Sequence, residues 1–137
     1  MFSHKNALNN WFQKAYTTRF KEEPNYPTYH MFQSFLGLKT GVDKALAANA
    51  GKAPDTDQII KGLEGMEFET ASGKIQMKLG NGHQGIGEIA YGTTKFDKAS
   101  GKATVVDMKR YGAECVNPPP GIKSLDWLAK GMPGAKC

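Results

Sequence analysis

The chain has 137 residues, 39% of them hydrophobic, a size that buries one modest core and does not require two. No apolar run reaches the roughly 18 to 20 residues of a transmembrane helix, because even the most apolar segment carries Lys39, Asp43 and Lys44, so a helical membrane span is excluded. The formal charge of +5 points first to nucleic acid or anionic lipid, but Arg19 and Arg110 are the only arginines and the lysines are scattered singly; without a basic stripe, nucleic acid is not expected as a partner.

Along the chain, Met1 to Asn6 hold neither an apolar h-region nor a small-residue cleavage site, so they do not read as a secretory signal, and any export information would lie upstream. From Ser3, a candidate N-cap, Leu8, Trp11, Phe12, Ala15, Tyr16 and Phe20 recur at three- and four-residue steps and predict a helix that Pro24 ends. A second, longer helix is expected from about Thr28, with Pro27 in its first turn. Met31, Phe32, Phe35, Leu38, Val42, Ala45 and Leu46 form its buried face, and Gly51 stands as its C′ residue. A short third helix starts at Asp55, whose capping-box partner is Gln58, buries Ile59, Ile60 and Leu63, and stops at Gly65.

After Gly65 the apolar period falls from 3.6 to 2. Phe68 and Thr70, then Ile75, Met77 and Leu79, flank a turn at Ala71-Ser72-Gly73-Lys74 and predict a β-hairpin. A second strand pair is read from Ile89, Tyr91 and Thr93 and from Thr104, Val106 and Met108, joined by Asp97 to Lys102. Pro118-Pro119-Pro120-Gly121 then enforces extended backbone, and Ser124 is expected to cap a last turn around Leu125, Trp127 and Leu128. Cys115 and Cys137 share this tail, lie outside any zinc-type spacing, and are either two thiols or a disulfide worth roughly 3 kcal/mol. Two-stranded ribbons are marginal in water unless they join a larger sheet or pack on helices, so the chain reads as part of something larger or as one that completes itself with a second copy.

Few constellations carry chemistry. Gly80-Asn81-Gly82-His83-Gln84-Gly85 matches a dinucleotide fingerprint in spelling, but no helix follows it, and a flexible crossover between strands is the better reading. His4, His30 and His83 have no partners at metal-ligand spacing, and His83 beside Gln84 forms at most a hydrogen-bonding pair. No nucleophile elbow or acid–base pair is present, so neither an enzyme nor a cofactor or metal is expected. The aromatic group Tyr26, Tyr29, Phe32 and Phe35 at the start of the long helix is either core or, in part, the lining of an apolar pocket.

A resemblance emerges from the order of these pieces. Phe12-x-x-Ala15-Tyr16-x-x-Arg19-Phe20-Lys21-x-x-Pro24, then Tyr26-Pro27-x-Tyr29-x-x-Phe32-Gln33-x-x-x-Gly37-Leu38, the helix end at Ala45 to Gly51, the Asp57–Leu63 helix, Phe68-Glu69-Thr70-Ala71-Ser72-Gly73 and His83-Gln84 together resemble the leucine/isoleucine/valine-binding type of periplasmic binding protein. The resemblance implies an α/β chain, the C-terminal part of a two-lobed type I fold in which helices are followed by β-hairpins. Residues 1–85 would belong to the first lobe, and 86–137 would cross the hinge into the second.

The implied function is solute capture for an ABC importer by hinge closure outside the cytoplasm, with a membrane permease as partner of the parent protein and an amino acid or similar small solute as ligand. Phe32 matches an aromatic position near the ligand cleft, and Tyr29, one turn earlier, is a second candidate. The loops that hold the ligand's carboxylate and amino groups are absent from this chain. Two alternatives are a ligand-sensing module of a receptor or regulator on the same fold, and a small interaction protein that self-associates through its strand edges.

Overall fold

In the computed structural model the described residues are 5–137, and the chain divides into two compact units, Met1–Gly87 and Glu88–Cys137. The first unit runs α1 (Ala7–Phe20), α2 (Tyr26–Ala48), α3 (Thr56–Leu63), β1 (Glu67–Thr70), β2 (Gly73–Leu79) and β3 (Gln84–Ile86). Its strands form one antiparallel sheet in the order β1-β2-β3.

In this unit each helix start is set by a short polar side chain. Asn6 caps α1 by accepting from the Asn9 N–H at 2.7 Å, so the cap stands here; Ser3 lies outside the described residues. The same Asn6 donates its side-chain N–H to the Thr70 carbonyl at 3.1 Å, tying the start of α1 to the β1–β2 turn. Asn25 caps α2 and accepts from the Thr28 N–H, which starts that helix two residues before Thr28 and leaves Pro27 in its first turn. The expected capping box of α3 is complete, with Gln58 N–H on Asp55 at 2.8 Å and Asp55 N–H on Gln58 at 3.0 Å. At the end of α2 the left-handed turn begins at Ala50 (φ 52°), one residue ahead of the expected Gly51 (φ 78°), which donates its N–H to Leu46 at 2.8 Å.

The helix faces depart from expectation. In α2 the buried positions are Tyr29, Gly37, Gly41 and Ala45, while Met31, Phe35 and Leu38 are 60%, 63% and 48% exposed. Trp11 and Phe20 of α1 are exposed too, as is Ile60 of α3. Beyond Tyr29, what α2 buries is a line of small residues. A Cβ on Gly37 would lie 2.9 Å from the Phe68 ring, one on Gly41 2.5 Å from Leu63, and one on Gly62 of α3 2.5 Å from the Gly41 carbonyl oxygen. The backbones of α2 and α3 therefore touch where hydrophobic periodicity registers nothing.

The expected hairpin is present, in the register Phe68↔Ile75 and Thr70↔Gly73, with Gly73 at φ 102°. Thr70 is fully buried, and its hydroxyl donates to Gly73 O at 2.7 Å while accepting from Ser72 N–H at 3.0 Å, which closes the turn. The glycine-rich stretch is not a free crossover: Gln84–Ile86 returns along β2 as a third strand, in the register Gln76↔Ile86 and Met77↔Gly85.

The second unit holds β4 (Ile89–Asp97), β5 (Lys102–Tyr111), α4 (Ala113–Val116) and α5 (Ser124–Ala129). The two strands pair only with each other among the described residues, in the register Ile89↔Tyr111 to Tyr91↔Lys109 and, after a bulge, Thr93↔Val106 to Asp97↔Lys102. The bulge sets Asp107 (φ 53°) and Met108 against Gly92, where a Cβ would lie 2.4 Å from Val105. Ser124 is the first residue of α5 rather than its cap; the N-cap is Lys123, with no side-chain hydrogen bond. Cys115 and Cys137 form a disulfide across a separation of 22 residues, and the buried Trp127 indole donates to the Pro133 carbonyl at 3.0 Å, which closes the tail on itself.

Candidate functional site

The residues that the sequence singles out as ligand candidates meet where α1 packs on α2. Phe12, Tyr29 and Ala71 form a buried cluster with Tyr16 and Phe32 packed against it. Phe32 lies flat on Phe12 at 4.3 Å between ring centroids and 2° between planes, and the Trp11 ring lies 6.0 Å from it, tilted by 35°. Tyr29 meets Phe12 edge-on at 5.1 Å, an arrangement that the ring quadrupoles favour.

The two candidates differ in what remains available. Tyr29 is 7% exposed and its hydroxyl is engaged twice, donating to Asn9 Oδ1 at 3.0 Å and accepting from Gln13 Nε2 at 2.9 Å. Its polar end is thus absorbed by α1. Phe32 is half-buried, spends one face on Phe12, and stands at the border of the cluster between exposed Trp11, Met31 and Phe35. The result is a layered aromatic wedge, held at Tyr29 by hydrogen bonds and partly exposed at Phe32.

Apart from this cluster, a concave region of about 420 Å³ lies by the β2–β3 turn and is lined by Glu64, Glu67, Gln76, Met77, Lys78 and Asn81. His83 Nε2 pairs with Glu64 Oε1 at 3.0 Å rather than with Gln84, and Lys74 bonds Glu67 at 2.6 Å, which raises the Lys74 ammonium above its ordinary value through that hydrogen bond and the carboxylate charge. Gln76 Oε1 is buried without a hydrogen-bond partner. Among the described residues no group of three His, Cys, Asp or Glu side chains could hold a metal ion, and no helix is long and apolar enough to cross a membrane. Sequence reasoning missed the Trp11–Phe32 contact and the Glu64–His83 pair; both join separate elements, so no local spacing signals them.

This architecture is that of a portion of a periplasmic-binding-protein fold, helices first and small sheets after, and the α/β assignment and the family resemblance are both borne out. An ABC-type branched-chain amino acid transporter protein from Rhodopseudomonas palustris CGA009 is 29% identical, with a TM-score of 0.68 over 80% of this chain and 28% of that one. An ABC transporter protein from Rhodopseudomonas palustris is 30% identical, with a TM-score of 0.54 over 73% of this chain and 28% of that one. An ABC-transporter solute-binding protein from Rhodopseudomonas palustris BisB5, solved in complex with 3,4-dihydroxybenzoic acid, shares the fold at 23% identity, with a TM-score of 0.62 over 82% of this chain and 29% of that one. The chain therefore spans less than a third of the length of the proteins it resembles. No protein-family model matches the chain, and no curated protein matches it.

Proposed function

We propose that this chain is a segment of the solute-binding component of an ABC importer that captures a branched-chain amino acid or a related small organic solute by hinge closure, without chemistry. The observation that carries the reading is the 29% identity and TM-score of 0.68 to a branched-chain amino acid transporter protein over 80% of the chain. On this reading residues 1–85 lie in the first lobe, 86–137 cross to the second, the parent protein works outside the cytoplasm, and a membrane permease receives the solute. Phe32 is the side chain that touches ligand. Tyr29, with its hydroxyl engaged, holds the wedge behind it.

The test is a chimera in which this segment replaces the matching 28% of the Rhodopseudomonas palustris CGA009 protein. Calorimetry is expected to show leucine, isoleucine or valine binding that Phe32→Ala weakens about tenfold or more, the loss of a packed ring contact. A folded chimera that binds equally well with alanine at position 32 removes Phe32 from the site. The 137-residue chain alone is expected to give no binding heat with these amino acids.

A second reading, self-association, is favoured by the exposed Met31, Phe35 and Leu38 face of α2 and by the solitary β4–β5 ribbon. Sedimentation separates the two: a dimer that persists on dilution supports self-association, and a monomer supports the segment reading. A ligand-sensing module on the same fold would differ by a fused signalling domain.

A further inference from the structure

The Leu79–Gln84 turn, rejected as a nucleotide site, has chemistry of its own. We propose that Asn81 is a site of spontaneous deamidation and that its isoaspartyl product unlatches this turn from the end of α3. Asn81 is exposed at the tip, with φ 58°, and is the only asparagine of the chain followed by glycine. In the reaction the main-chain nitrogen of Gly82 attacks the Asn81 side-chain carbonyl carbon. The new C–N bond closes a succinimide, and the side-chain nitrogen leaves as ammonia. Water then opens the ring at either carbonyl, to aspartate or to isoaspartate, so the net change is amide plus water to carboxylate plus ammonium.

A following residue with a Cβ hinders that attack, and here the fold forbids one: a Cβ on Gly82 would lie 2.8 Å from the Gly65 nitrogen and 3.4 Å from Glu64 Cα. Packing thus imposes the most reactive neighbour on Asn81. The attacking nitrogen itself is held by a local turn hydrogen bond, the Gly82 N–H donating to Leu79 O at 3.1 Å. Other asparagines precede bulkier residues, and Asn117 precedes proline, which has no N–H.

The product matters because the turn is latched. Gly65 N–H donates to Gly82 O at 3.4 Å, and His83 pairs with Glu64 at 3.0 Å. Isoaspartate inserts one extra carbon into the main chain between the α carbon of residue 81 and the Gly82 nitrogen. That displaces Gly82 O and His83 together, whereas aspartate adds charge and leaves the backbone path unchanged.

The test ages the purified chain at neutral pH and body temperature for weeks and maps its peptides by mass spectrometry, alongside a free peptide of residues 76–87. The expected result is a gain of one dalton at residue 81 and not at the other asparagines. Aged material enriched in isoaspartate is expected to lose hydrogen-exchange protection at the Gly65 amide, while Asn81→Asp keeps it and Asn81→Gln gains no mass. If the free peptide converts and the folded chain does not, the site is overturned; if residue 81 converts and Gly65 protection is unchanged, the unlatching is overturned.

Discussion

Gly62 sits with its α carbon against the Gly41 carbonyl, so that a methyl group there would lie 2.5 Å from the oxygen. Alanine is the better helix former by about 1 kcal/mol, but overpacking against rigid backbone costs about 1 to 3 kcal/mol, and the second effect wins. Gly62→Ala is therefore expected to destabilise the first unit by up to about 2 kcal/mol in urea unfolding. Gly41→Ala is the comparison, because its methyl would meet the Leu63 side chain, Cδ2 at 2.5 Å and Cγ at 2.9 Å, rather than backbone, and a smaller loss is expected there. Tyr29 makes the complementary point with a polar group. Removing its hydroxyl in Tyr29→Phe takes a donor from Asn9, which is 2% exposed, and is expected to cost about 1 kcal/mol by the same measurement.

Among the elements, the β4–β5 turn offers a pH-dependent test. Asp97 accepts from the Ser100 hydroxyl at 2.6 Å and from the Ala99 N–H at 3.0 Å, and the first of these above all holds its carboxyl below the ordinary aspartate value. A depressed carboxyl stabilises the folded turn fully above its unfolded value and loses that contribution as pH falls through its folded one. The turn should loosen in acid, and an NMR titration of Ser100→Ala should show the Asp97 carboxyl moving back up. The same elements show what was legible in the sequence. The α3 cap and the β1–β2 turn were, because Asp55 with Gln58, and Gly73 in its hairpin, act within a few residues; the α5 cap read at Ser124 was not, since that residue is the first of its helix. Helix faces were not, since the periodicity of Met31, Phe35 and Leu38 reports only that a surface is apolar, and close contact through Gly37, Gly41 and Gly62 leaves no hydrophobic signal. The strand at Gln84–Ile86 was hidden by its glycines, and Met108 was assigned to the face of Thr104 and Val106 because a bulge cannot be read from alternation. For the candidate site, the helix position of Phe32 was legible, but its stack on Phe12, from another helix, was not.

At the scale of the whole molecule, the two units rely on different supports. Among its described residues the second buries Cys115 and one large hydrophobic side chain, Trp127, so its tail depends on the disulfide. Reduction is expected to lower tail stability by about 3 kcal/mol and to shift Trp127 fluorescence to the red as the indole meets water. The first unit displays rather than lacks apolar surface: Phe35→Lys should cost little stability, because the ring is 63% exposed, and should raise solubility in a precipitation assay. The bulge at Asp107 has a further consequence. Its ladder partners are already in step on both sides, Thr93 with Val106 and Tyr91 with Lys109, so Asp107 is a supernumerary residue that the pairing does not count. The ribbon therefore carries a tolerance for length change at one interior point, and a chain shortened by that residue keeps Tyr91 opposite Lys109 and Ile89 opposite Tyr111.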